Sequence, residues 1–215
     1  MSIDLTDDVV IQAERRCLAV RCGGYGPYGG LVRAAAAELF TTMFPRFVNH
    51  RGSESLIEDV DAFFLLHGAS RGAFVQMGTE FVAFMQQRLG SSVSRMVLEY
   101  EWTLFDVEVH PAVVRRAHEV VGKDGLMLGL NPTLRFIAVP STLVGDDPVS
   151  VEALALPPST YGVYRTADHQ VLTKPLGPSD IAGLRPFEAG PARAYGPLDT
   201  WLVEALNGDL LTVFT

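Results

Sequence analysis

Five acidic or imidazole side chains, Glu99, Glu101, Asp106, Glu108 and His110, crowd into the stretch MVLEYEWTLFDVEVH between Met96 and His110. Wound as an α-helix, Glu99, Asp106 and His110 fall at i, i+7 and i+11 on one face. Asp106 and His110 have the i, i+4 spacing that can place two ligands on one metal ion. The spacing permits a metal site without requiring one. A carboxylate-bridged di-iron bundle needs a Glu-x-x-His pair on each of two helices with further glutamates from others, and no Glu-x-x-His occurs in the chain. Glu99, Asp106 and His110 are therefore expected on a solvated or partner-facing surface, with no metal held by this chain. The alternative is a stand-alone metalloenzyme built on the same three residues.

The helix carrying that face has to be anchored by its opposite side. Leu98, Trp102, Phe105 and Val109 recur at i, i+4, i+7 and i+11, an apolar stripe that predicts a core-facing surface with Trp102 as its largest anchor. Similar patterns precede it. VVIQAERRCLAV has helical spacing through Val10, Ala13, Cys17 and Val20, and CGGYGPYGG then reads as a connector, since it lacks the Gly-Lys-Ser/Thr ending of a phosphate-binding loop. LVRAAAAELFTTMF predicts a helix bent or ended by Pro45. SESLIEDVDAFFLLHG predicts one capped by Ser53 or Ser55, burying Leu56, Val60, Phe63 and Phe64 and closing near His67 and Gly68. AFVQMGTEFVAFMQQRLG places Phe74, Met77, Phe81, Phe84 and Met85 on one stripe. Residues 1–125 thus predict a helical bundle.

From Asn131 the apolar period shortens. PTLRFIAVP alternates as a strand, VSVEALALPP can form another, and YGVYRTADHQVLTK predicts a hairpin turning over Thr166 to His169. PSDIAGLRPFEAG predicts a short helix capped by Ser179 or Asp180, GPLDTWLVEALNG another, and DLLTVFT a final strand. The predicted fold class is α+β: the bundle, then a small domain over 131–215 with an antiparallel sheet and short helices.

Bulk properties narrow the function. The 215 residues carry a formal charge of -8, and of 17 basic residues only Lys123 and Lys174 are lysine. A surface so acidic does not track phosphates by releasing counterions, which argues against nucleic-acid binding. A hydrophobic content of 48% leaves apolar surface for a protein partner. No apolar run approaches the roughly 18 residues of a membrane span, and the N-terminus lacks the basic and apolar regions of a signal peptide, so a cytoplasmic protein is expected. Cys17 and Cys22 have no second Cys/His pair to complete a zinc site and read as reduced thiols. His50, His67, His110, His118 and His169 are scattered, and no nucleophile elbow, His-Glu-x-x-His or dinucleotide-binding glycine pattern occurs. A binding subunit fits better than an enzyme.

The order of local patterns adds a resemblance. YGGLVRAAAAELFTTMFPRFVNHRGSE, then DVDAFFLLHGASRGAFVQMGTEFVAFM, then MVLEYEWTLFDVEV resembles a family labelled by a DNA-binding domain. In it a Tyr precedes an Ala-rich helix ending in Phe-Pro, a Gly-x-x-Phe-x-x-Phe segment follows, and the next helix carries Leu-Glu-Trp. Tyr28, Phe44, Pro45, Gly78, Phe81, Phe84, Glu101 and Trp102 occupy the matching positions, with Tyr100 where Leu is usual and without the common double proline after the second helix. NPTLRFIAV and the segment from Tyr161 to Gly190 resemble the family's second domain.

Members of that family include partner proteins of multinuclear non-heme iron-dependent oxidases, the methanobactin partner subunit among them. The resemblance implies a non-catalytic subunit with no cofactor of its own, docked on a TIM-barrel oxidase that holds the iron. It would recruit the leader of a ribosomally made precursor peptide for cysteine modification. On that reading the leader adds a strand to the C-terminal sheet at Val163, Tyr164, Arg165, Val171 and Leu172, with Arg165 reading acidic residues, and Glu99, Asp106 and His110 serve the oxidase interface. The family label suggests a DNA-binding regulator as the competing reading, which the acidic charge and the lack of a basic helix oppose.

Overall fold

The computed structural model describes residues 27–67, 74–115, 126–145, 156–194 and 198–214. These fall into two compact units divided between Trp102 and Thr103, inside a helix rather than after it. The helix expected over Val10 to Val20, both cysteines and His118 lie outside the described residues.

The first unit is built from α1 (Pro27–Met43), α2 (Pro45–Arg51), α3 (Ser53–Leu66), α4 (Phe74–Leu89) and the larger part of α5 (Val93–Glu108). Pro27 opens α1, where a missing N–H costs nothing, so the end of the glycine-rich run is helical rather than connecting. Pro45 ends α1 as predicted. The proline ring disfavours helical geometry at the residue before it, and Phe44 accordingly sits at φ -131, ψ 56 before α2 starts afresh. Neither Ser53 nor Ser55 caps α3. Gly52 holds the cap position at φ 86, ψ 146, a conformation open to glycine, and donates its N–H to the Val48 carbonyl at 2.8 Å.

Aromatic rings form the centre of this unit. Phe40, Phe44, Phe47, Phe63 and Phe81 are fully buried. The rings of Phe40 and Phe81 stack at 4.0 Å, and Phe63 meets each edge-on at 6.2 and 5.6 Å. Such pairs add about 0.5–1.5 kcal/mol each beyond the area they bury. His67, predicted as a cap, does hold the C-cap position of α3, and its ring stacks on Phe63 at 5.3 Å. The stripe predicted for α5 needs correction. Leu98 is buried, but Trp102 and Phe105 are half-buried and Val109 is exposed, while Val97, Tyr100, Glu101 and Val107 are inside. Trp102 instead lies beside Phe44, at 6.4 Å, and over Gly78.

The second unit holds two three-stranded antiparallel sheets where one was predicted. β1 (Met127–Leu130) lies between β5 (Ala192–Arg193) and β6 (Leu211–Phe214), and β3 (Ser159–Arg165) between β2 (Arg135–Val139) and β4 (Val171–Pro175). The predicted strand VSVEALALPP falls mostly outside the described residues. The hairpin matches its prediction: β3 and β4 pair with Val163 opposite Thr173, and Thr166 to His169 make the turn with His169 at φ 63.

Two short helices, α6 (Pro178–Leu184) and α7 (Thr200–Asn207), complete a core of Leu128, Leu134, Tyr164, Leu184, Leu206 and Leu211. Gly177 rather than Ser179 or Asp180 holds the cap of α6, and the Asp180 carboxylate accepts the Gly177 N–H at 2.9 Å. Asp180 also accepts from the Trp201 indole at 3.1 Å. Burial raises this carboxyl, but the Gly177 and Trp201 donors and the Lys174 charge outweigh burial and hold it below its ordinary value. The Trp201 ring covers Gly183 so closely that an added Cβ would come within 2.6 Å of it. A rigid ring cannot step aside as a flexible chain end does. Gly183→Ala is expected to cost about 1–3 kcal/mol, seen as a lower urea midpoint.

Asn131 ties the unit together. Its amide donates to the carbonyls of Arg165 and Asp209 at 2.9 and 2.8 Å, and its side-chain oxygen accepts from the N–H and hydroxyl of Thr133 at 2.9 and 2.7 Å. A buried amide with every group partnered fixes three chain segments at once.

Candidate functional site

The residues singled out for peptide recognition lie on the β3–β4 hairpin, and alternation of side chains sends them to opposite faces. Val163 and Tyr164 belong to β3, the middle strand, and both are buried. Burial and the neighbouring Asp209 charge push the Tyr164 hydroxyl above its ordinary value. Neither side chain is open to a docking strand. Val171 and Leu172 belong to β4, an outer strand among the described residues, with Val171 half-buried and Leu172 39% exposed. An added strand would therefore meet β4, with Leu172 as its apolar contact. The other outer strand, β2, presents Phe136 at 47% exposure.

Arg165 is directed elsewhere. Its guanidinium donates from Nη1 to the Glu108 carbonyl at 2.8 Å and from Nη2 to the Ala112 carbonyl. Glu108 is the last residue of α5, so this arginine places a cation at a helix C-terminus, where unpaired carbonyls and the helix dipole favour positive charge. The role expected of Arg165, reading acidic side chains of a bound peptide, has to be corrected to holding the end of α5. Its Nε is buried and without a partner.

Of the three residues expected on a partner-facing surface, Glu99 accepts from Arg95 at 2.8 Å and from Gln86 at 2.9 Å. Asp106 accepts from Arg135 of β2 at 3.1 Å, and the Nδ1 of His110 accepts the Ala112 N–H at 3.2 Å. Each is engaged within its own unit. No group of three His, Cys, Asp or Glu side chains among the described residues could hold a metal ion.

Two carboxylates to which the sequence reading gave no role are more deeply placed. Glu101, only 5% exposed, accepts the backbone N–H groups of Arg46 and Phe47, both at 2.8 Å. These are the donors that the first turn of α2 leaves unpaired after Pro45. Burial pushes this carboxyl above its ordinary value, against the pull of the two N–H groups and the Arg46 charge. Asp59, fully buried, accepts from Arg51 and Arg88. Glu101 belongs to the Glu-Trp pattern of its helix, but nothing local marks its role or that of Asp59, because their partners lie 55, 54, 8 and 29 residues away.

Several residues behind the family resemblance meet in space. Phe44 packs near Phe81 and Trp102, Trp102 covers Gly78, and Glu101 caps the helix that Pro45 begins. The pattern is thus a packing constellation. Comparison of the chain with protein-family models and with curated proteins finds no match. No helix among the described residues is long and apolar enough to cross a membrane.

Proposed function

We propose that this chain is a non-catalytic partner subunit that docks on a TIM-barrel, iron-dependent oxidase and presents to it the leader of a ribosomally made precursor peptide for cysteine modification. The resemblance of its ordered motifs supports the oxidase pairing, with the iron in the partner. The observation that carries peptide presentation is β4, five residues long, which is outermost in its antiparallel sheet among the described residues and leaves Leu172 exposed. Strand addition at such an edge draws affinity from main-chain hydrogen bonds and selectivity from alternate side chains. Leu172 and Val171 would supply that selectivity, while Val163 and Tyr164 hold the strand behind them.

The test is a pull-down of the tagged full chain from its native host, with mass spectrometry and metal analysis of the eluate. Retention of an iron-bearing TIM-barrel protein is the expected outcome. A chain that elutes alone and carries stoichiometric metal would overturn the reading in favour of a stand-alone metalloenzyme. For the peptide, Leu172→Asp is expected to weaken precursor binding about tenfold, the loss of one buried apolar contact, with melting unchanged. Equal affinity in the two proteins would remove β4 from the site.

A further inference from the structure

Arg33 meets Asp61 and Arg135 meets Asp106, one arginine to one carboxylate. At Asp59 two arginines meet one. Arg51 grips it with a fork, Nε to Oδ2 at 2.9 Å and Nη2 to Oδ1 at 3.1 Å, and Arg88 adds Nε to Oδ1 at 3.1 Å. A single bidentate guanidinium already matches the charge and geometry of a carboxylate. The second leaves one positive charge unmatched, and among the described residues no other carboxylate contacts either arginine. Both donate to the same oxygen, so the two guanidiniums lie within about two hydrogen-bond lengths of each other.

Among the described residues Nη1 of Arg51 and both terminal nitrogens of Arg88 have no partner, and the Arg51 and Arg88 side chains are 28% and 41% exposed. The buried Asp59 side chain, with no exposure of its own, fixes both planes from beneath. Arg51 ends α2, Asp59 lies within α3 and Arg88 is in the last turn of α4, so three helices set the geometry.

We infer that Arg51 and Arg88 form a preorganised site for a carboxylate of an acidic polypeptide segment. Planar donors oriented in advance bind a carboxylate with little loss of side-chain freedom. The net charge of -8 opposes a phosphate polymer at the same place, because a nucleic acid would be repelled by the rest of the surface. A short acidic segment brings fewer charges and needs only the local excess. This site lies in the helical unit and does not depend on the sheet edge proposed above.

The experiment measures binding of a labelled oligoglutamate peptide to the full chain by fluorescence anisotropy at low salt, with Arg88→Gln and Arg185→Gln compared. Arg185 is an exposed arginine of the other unit, so its variant loses the same charge without touching Asp59. Arg88→Gln leaves Asp59 its fork from Arg51 and is expected to fold. Affinity falling about tenfold in Arg88→Gln, the weight of one charge-assisted hydrogen-bonded contact, and unchanged in Arg185→Gln supports the site. Equal losses in the two variants, no peptide binding by the wild type, or tighter binding of duplex DNA than of the peptide would overturn it. If Arg88→Gln melts early, Arg88→Lys decides: it keeps the charge beside Asp59 but lacks the planar pair, and undiminished peptide affinity there would count against the proposal.

Discussion

Truncation of Phe81 to alanine is expected to lower the unfolding free energy by about 3–5 kcal/mol, read as a fall in the urea midpoint at constant slope. Phe81 is fully buried, stacked on Phe40 at 4.0 Å, flanked by Phe44 at 6.3 Å and met edge-on by Phe63 at 5.6 Å. Its removal forfeits the transfer of the ring from water, three ring contacts and the packing of the walls around the void. The walls are themselves rings held on α1, on α3 and at the joint before α2, so collapse into the gap is restricted. Trp102→Ala is expected to cost less than Phe81→Ala, because the tryptophan is half-buried at the flank of this cluster. A loss of under about 1 kcal/mol for Phe81→Ala, the scale of an ordinary surface change, would mean that the aromatic centre repacks freely.

Replacement of Glu101 by alanine comes second, at about 2–4 kcal/mol. Two backbone N–H groups, those of Arg46 and Phe47, would lose their acceptor in a place where little water can replace it. Stability of Glu101→Ala within about 0.5 kcal/mol of wild type would show that the start of α2 finds other partners. Glu101 also gives a pH signature. Its carboxyl is raised above an ordinary value of 4.5 by burial, so the stability it contributes is complete below that pH and declines as pH rises through the raised value. Glu101→Gln cannot ionise. The difference in stability between wild type and Glu101→Gln is therefore expected to move in favour of the variant as pH is taken upward from about 4.5. A difference that stays flat across that range would remove the titration from Glu101.

The two carboxylates also show where sequence reasoning stops. Apolar period located α1, α3, α4 and α5 because each buries a stripe, and the turn residues Thr166 to His169 located the hairpin, but the seven-residue α2 was missed because it is too short to show a period. The face of α5 was misjudged for a specific reason. A glutamate reads as solvent-facing, yet Glu101 turns inward to meet N–H groups stranded by Pro45, and in doing so it carries Tyr100 and Val97 inward and Val109 outward. β1 was missed because MLGL, half-buried at its ends and buried in the middle, shows no alternation, and β5 has only two residues. Arg165 was noticed as an arginine in a hairpin, but its acceptors are carbonyls 57 and 53 residues away, to which no side-chain pattern points.

Gly52 stands alone between Arg51 and Ser53, and its N–H ends one helix while its carbonyl accepts from Leu56 at 3.1 Å to begin the next. A joint made of one residue has no slack. One residue inserted beside it would turn Arg51 by about 100° relative to α3, out of reach of Asp59, and one deleted would do the same in the opposite sense. Outward positions of α2 and α3 can therefore change identity at little cost, whereas any change of length between Arg51 and Asp59 would separate that pair.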